Sequence, residues 1–324
     1  METPASAAIT LRVRSFRGLQ NLPIVAAQRL GLFARAGLEI ALTFTNSSAE
    51  QLSMLARGEV DLIHTAPDNV IHFDTQPAAF GVDPTTAPRL ALLLGGSNGP
   101  LSVYAAPGID DLDSLRARAV GVDNPGSGFA LVLRDLLERA GLALERDYRF
   151  TVAGGTGARA AALAEGALAA TLVYPPFDLL LASKGCHRLS DSTSVYPSYA
   201  SQALAGERGW ITAHGPQVTA YIATLLAALD WLYTPVNRAA VEALLASEPE
   251  LGAAEVASSL TYAAFTDPQV GFGRLAALSE AGLAQVIALR ARYGDLPADA
   301  LGQPVDYCDL RWYERALAER TLTR

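Results

Sequence analysis

The feature that most restricts the fold is a repeated rhythm of short apolar run, polar turn and amphipathic segment. Residues 10–16 alternate apolar and polar, as a half-buried strand does. The polar turn Arg17-Gly18-Leu19-Gln20-Asn21 follows, and Pro23 stands early in a helix, where its missing N–H costs nothing. Leu19, Ala26, Ala27, Leu30 and Phe33 make the apolar face of that helix. Gly31 and Gly37 bracket its end. A strand at 39–44, a helix at 49–57 and a strand at 60–63 come next. The chain then breaks at His64-Thr65-Ala66-Pro67-Asp68-Asn69 into another helix, and a strand at 90–94 ends in Gly95-Gly96-Ser97-Asn98-Gly99-Pro100. Strand and helix in alternation call for a parallel sheet with right-handed crossovers. In such sheets ligands collect outside the carboxyl ends of the strands. Those ends are residues 17–21, 65–69 and Ser97-Asn98, most of them polar, as loops often are.

The rhythm then starts again. Strands are expected at 102–105, 119–122, 148–152 and 167–173, with a short helix start at 110–115 and helices from Phe129 to Ala140 and from Gly155 to Ala164. The segment Leu55-Ala56-Arg57-Gly58-Glu59-Val60-Asp61-Leu62 has an echo in Leu163-Ala164-Glu165-Gly166-Ala167-Leu168-Ala169-Ala170, as two similar α/β lobes produce. From about residue 197 the pattern reads as helical, at 216–233, 235–247, 253–260, 275–293 and 312–319. Those helices are expected to wrap back over the first lobe.

The loop Asp123-Asn124-Pro125-Gly126-Ser127-Gly128 opens a helix whose apolar face is Phe129, Val132, Leu133, Leu136, Leu137 and Ala140. A glycine-rich loop at a helix start leaves free N–H groups aimed at one spot, with the positive end of the helix dipole behind them. That suits a negatively charged or strongly accepting group. Asn124, Ser127 and the glycines also suffice as a plain cap.

A chain of 324 residues exceeds one ordinary core, and with half its residues apolar and 18% charged it is globular. The net charge of −8, without a basic stripe, argues against a nucleic-acid partner. No apolar run is long enough to span a bilayer; the alanine-rich stretch at 218–232 is short and carries Asp230. Cys186 and Cys308 lack metal-ligand spacing and are either packing residues or one optional disulfide. Residues 1–8 show neither a basic nor an apolar signal region. The chain is therefore expected in the cytoplasm if it is full length, and to be an exported protein if it is a mature form.

The run Ala27-Gln28-Arg29-Leu30-Gly31-Leu32-Phe33-Ala34-Arg35-Ala36-Gly37-Leu38-Glu39-Ile40 resembles the first helix and second strand of a known group. These are the substrate-binding proteins of ABC importers for alkanesulfonates, taurine, nitrate and thiamine precursors. Residues 55–62, the order of elements through Phe177 and the tail 306–313 are similar to the same group. The resemblance implies a type II periplasmic-binding-protein fold: two α/β lobes, each a mixed, mostly parallel sheet flanked by helices, plus extra C-terminal helices. Residues 1–98 with 196–324 would form one lobe and 99–195 the other, with hinge and cleft between them. A small organic ligand, anionic or aromatic, would close the lobes for delivery to an ABC permease. The ligand-binding residues carried over are Arg17, Gln20, Thr65, Asp68, Asn69, Asn98, Asn124, Ser127, Gly128, Thr156 and Tyr174. Arg17 would suit a carboxylate or sulfonate and Asp68 an amine or ring N–H, or the two would pair. Phe16, Tyr174 and Phe177 would stack a planar ligand or pack the core. No metal, cofactor or catalytic residue is expected, and the protein is expected to be a monomer.

The rival reading is a signal-less enzyme, like the lyases of the futalosine route, or an intracellular ligand sensor on the same scaffold. An enzyme would need an acid or base in the cleft, and His64 is the candidate; a hydrogen-bonded core histidine is the plainer alternative. Ser127 lacks the spacing of a nucleophile elbow, and no Lys-Ser/Thr follows the glycine-rich loop as a nucleotide cradle requires.

Overall fold

The computed structural model describes residues 8–97, 99–268, 271–294, 296 and 300–322. Strands β1 (Ile9–Phe16), β2 (Leu38–Thr45), β3 (Leu62–Thr65) and β4 (Leu90–Leu94) form one sheet, and β5 (Ser102–Ala105), β6 (Arg118–Val122), β7 (Tyr148–Val152), β8 (Ala170–Val173) and β9 (His187–Asp191) a second. The chain then returns to the first sheet as β10 (Ala203–Glu207). The orders are β2-β1-β3-β10-β4 and β7-β6-β8-β5-β9. β1 runs parallel to β2 and β3, and β6 parallel to β7 and β8. In each sheet the inserted antiparallel strand, β10 or β5, is the first one after the chain arrives from the other lobe. This is the expected two-lobe fold, and β3 and β8, the strands reached through the echoed segments, hold equivalent places.

The helices of the first half are α1 (Leu22–Arg29), α2 (Leu32–Arg35), α3 (Ser48–Ala56) and α4 (Pro67–Thr75); the second lobe carries α5 (Gly128–Arg139), α6 (Thr156–Ala164) and α7 (Phe177–Ser183). The C-terminal part adds α8 (Arg208–Ala213), α9 (Gly215–Leu232), α10 (Arg238–Ser247), α11 (Ser258–Thr266), α12 (Glu280–Tyr293) and α13 (Arg311–Leu322). Some expectations need correction. Residues 203–207 are a strand, not part of a helical run: Ala-Leu-Ala-Gly is buried on both faces, so no alternation betrays it. α11 begins at Ser258 rather than 253, and the helix start at 110–115 is one 3-10 turn, Asp113–Leu115. β3 runs two residues further than expected, which puts His64 and Thr65 inside it.

The lobes are joined by more than the two crossing segments. Ser201 donates from N and Oγ to the Ser97 carbonyl at 3.1 and 2.8 Å, holding those segments side by side. α12 lies across both lobes. Its Leu283, Val286 and Leu289 share one apolar cluster with Val70, Ile71 and Phe73 of α4 and Val132, Leu133 and Leu136 of α5. Burial stabilises by roughly 1.5–3 kcal/mol per side chain of this size. The exposed pair Lys184–Glu255 also links the lobes, at 2.9 Å, but such a pair contributes only about 0–1 kcal/mol. The apolar seam is the stronger tie.

Cys186 and Cys308 are both free. Among the described residues no helix is long and apolar enough to cross a membrane.

Candidate functional site

A narrow cavity opens between the lobes. The first lobe supplies Phe16 at the end of β1, Thr65 at the end of β3, Ala66, Asn69 in the first turn of α4, and Gln202 just before β10. The chain leaves β3 through extended Ala66, and Pro67 then starts α4, so Asn69 folds back: its Nδ2 donates to Thr65 Oγ1 at 2.8 Å.

The second lobe faces it with two helix starts. Ser127 caps α5, and its Oγ accepts from Ala130 N at 3.4 Å and donates to Asp123 Oδ1 at 2.7 Å. Asp123 Oδ2 accepts from Ser48 Oγ of the first lobe at 3.3 Å, a hydrogen bond across the gap. At the other start, Gly155 gives α6 no side-chain cap, and Gly155 and Thr156 line the cavity.

Arg159 lies behind Thr156, 2% exposed. Its Nε donates to Thr171 Oγ1 at 2.9 Å, Nη1 to the Gly154 carbonyl at 2.8 Å, and Nη2 to Thr156 Oγ1 at 3.2 Å and the Leu172 carbonyl at 3.1 Å. Asp123 Oδ1 lies 3.9 Å from its Nη1. Burial pulls this guanidinium below its usual pKa, and Asp123 opposes that pull. Tyr174 completes the wall edge-on to Phe129 and Phe177, with centroids 6.0 and 5.8 Å away. Burial raises its phenol pKa.

A second cavity of similar size adjoins the first on the hinge side and shares Tyr174 and Gln202 with it. Leu19, Pro100, Phe265 and Phe272 make it apolar, and Gln20 lines it.

Of the residues expected from sequence, Thr65, Asn69, Ser127, Gly128, Thr156 and Tyr174 meet around the first cavity, and Gln20 borders the second. Asp68 instead forms a buried ion pair with Arg290, its side chain 1% exposed. Arg17 is exposed, with its guanidinium 4.6 Å above the Phe44 ring, and lines neither cavity. Asn124 closes its own loop, its Oδ1 accepting from Gly126 N at 2.8 Å. Asn98 lies outside the described residues. Phe16 lines the cavity, whereas Phe177 is buried against Tyr174. His64 is buried, bonds through Nε2 to Tyr221 Oη at 2.9 Å and does not line either cavity.

Sequence reasoning missed Asp123, Phe129, Arg159 and Gln202. Arg159 had a signal, as the one charged side chain in the alanine-rich segment 156–164. Asp123 had another: it directly follows the buried end of β6, where these sheets place ligands.

This architecture, two sheets facing each other across a polar cleft, is that of the periplasmic binding proteins. Residues 10–246 match the NMT1-like family, and the chain belongs to that family. The fold is shared with the periplasmic nitrate-binding protein NrtA from Synechocystis PCC 6803, at 13% identity and TM-score 0.79 over 98% of this chain and 90% of that one. The alkanesulfonate-binding protein SsuA from Xanthomonas axonopodis pv. citri, solved with MOPS bound, superimposes at TM-score 0.67 and 20% identity over 93% and 96%. A Candida albicans gene product described as having the generic periplasmic binding protein fold gives TM-score 0.70 and 14% identity over 93% and 97%. Curated proteins yield no match to this sequence.

Proposed function

We propose that this chain is the solute-binding protein of an ABC importer, working in the periplasm; its fold relatives include the periplasmic nitrate-binding protein NrtA and the alkanesulfonate-binding protein SsuA. Residues 1–98 with 196–324 and residues 99–195 move as two bodies, and a small molecule held between Thr65, Asn69, Ser127, Thr156 and Tyr174 draws them together for delivery to a permease. The observation that carries this reading is the cleft itself: the polar ends of strands from both sheets converge on one cavity, with Ser48 and Asp123 bonded across it. Contacts that exist only in the closed form convert ligand affinity into closure.

An enzyme on the same scaffold has less support. Its acid–base candidate, His64, is tied to Tyr221 within the core, and burial pushes its pKa down to about 4.

The test is retention of solutes. Purified protein is mixed with nitrate, alkanesulfonates and a small-molecule extract, filtered, and the retained compounds are identified by mass spectrometry. The same is done with Gly128→Trp, whose side chain collides with Asp68 across the cleft, since even a Cβ would stand 2.5 Å from the Asp68 Cβ, and whose fold is checked by its unfolding curve. Retention by the wild type and its loss in the variant is the expected result. Equal retention by both moves the ligand out of the cleft.

A further inference from the structure

The charged groups of the cleft limit what it can hold. Among the described residues lining the first cavity, the charged side chains are Asp123 and Arg159. Four N–H bonds of Arg159 go to its own chain, so this guanidinium positions the α6 start and does not present a free fork to a ligand. Asp123 has the opposite status. A carboxylate has about four acceptor positions, and the structure fills two, from Ser127 and Ser48. It can still accept from a guest.

The start of α5, the place where an anion would otherwise gather, is held by resident carboxylates. Asp123 bonds the capping Ser127, and Asp68 packs against Gly128. A guest anion there would face Asp123 at short range, and the balancing charge of Arg159, 3.9 Å from Asp123 Oδ1, is already engaged by its four bonds to the protein. The start of α6 differs: without a side-chain cap it offers its first-turn N–H groups to an acceptor. Phe16 from one lobe and Phe129 and Tyr174 from the other provide ring surfaces beside these polar groups.

Building on the solute-binding reading above, we infer that the cleft takes a small planar solute without net negative charge, whose amide-type group donates an N–H to Asp123 and offers its carbonyl to the first turn of α6. Nitrate and sulfonates carry neither the donor nor the right charge for this arrangement.

Benzamide and benzoate test this, because they have nearly the same shape and differ in the donor and the charge. Binding of benzamide, benzoate, benzenesulfonate and nitrate is measured by calorimetry at millimolar concentrations on the wild type and on Asp123→Asn, whose fold is checked by its unfolding curve. The wild type is expected to bind benzamide at least about tenfold more tightly than either aromatic anion or nitrate. In Asp123→Asn that preference should shrink by about tenfold or reverse, because the carboxylate that attracts the donor and repels the anion is gone.

A wild-type preference for benzoate, benzenesulfonate or nitrate overturns the inference, as does a preference that Asp123→Asn leaves unchanged, or no binding of any of the four. An anion that binds the wild type but not Gly128→Trp would overturn this inference while leaving the solute-binding reading in place. Benzamide bound equally by wild type and Gly128→Trp would overturn both.

Discussion

Arg290 and Asp68, 222 residues apart in sequence, form an ion pair with side chains 2% and 1% exposed, Arg290 Nε lying 3.0 Å from Asp68 Oδ1. The same guanidinium donates from Nη2 to the Gly126 carbonyl at 2.8 Å. Asp68 belongs to α4 of the first lobe and Gly126 to the loop before α5 of the second, so one side chain of α12 holds both walls of the cleft. Asp68 is thereby a structural residue whose charge is already paired within the protein.

Removing one member of a buried pair leaves the other charged and unsolvated, which costs about 3–5 kcal/mol. Arg290→Met should therefore lower the unfolding free energy measured in urea by about that amount, and adding Asp68→Leu to it should recover part of the loss. A change below about 1 kcal/mol in the single variant would mean that the pair is solvated in solution.

Gly252 and Phe177 mark the opposite side of the cleft. Gly252 has φ +66°, and a Cβ there would lie 2.8 Å from Phe177 Cε1 of the other lobe. Gly141 has φ +84° with nothing within 4 Å of such a Cβ, so it serves as the control for backbone strain alone. Gly141→Ala should cost about 1 kcal/mol and leave the overall dimensions unchanged. Gly252→Ala should cost about 2–3 kcal/mol and increase the radius of gyration in solution scattering, because the added methyl wedges the lobes. Identical behaviour of the two variants would mean that the Gly252–Phe177 contact does not constrain the lobes in solution.

The pH dependence of stability follows from His64. Burial holds the folded-state pKa near 4 against an ordinary 6.5. Above pH 6.5 the ring is neutral folded and unfolded, and contributes nothing. Between 6.5 and 4 the unfolded chain takes a proton that the folded one refuses, so stability falls as the pH falls. Below about 4 the loss is complete, at about 3 kcal/mol. His72 adds in the same direction, lowered to about 4 by burial and by Arg290. His64→Gln should flatten the urea-derived stability curve across this window relative to wild type; an unaltered slope would show that His64 titrates normally in the folded protein.

The parts of this protein that were legible in the sequence are those where local and global requirements coincide. β1, α1 and β2 announce themselves through alternation, a proline at a helix start and closing glycines, and the cleft residues Thr65, Asn69, Ser127 and Thr156 sit at strand ends and helix starts that short-range chemistry marks. β10 was hidden because a strand buried on both faces has no period to read. The roles of Asp68 and Arg159 were hidden for another reason: a charge reads alike whether it meets a ligand or a partner far along the chain. Asp68 meets Arg290 through a long-range fold, and Arg159 turns toward Thr171 and Leu172 of β8. Arg17, next to the end of β1, looked like a cleft residue but turns outward onto Phe44.

The most direct test of the account is a crystal structure of the protein with the solute it retains. Density for that solute is expected between Thr65 and Asn69 of one lobe and Asp123, Ser127, Thr156 and Tyr174 of the other, with both lobes in contact with it. Density confined to one lobe, or lying outside the gap between the sheets, would contradict it.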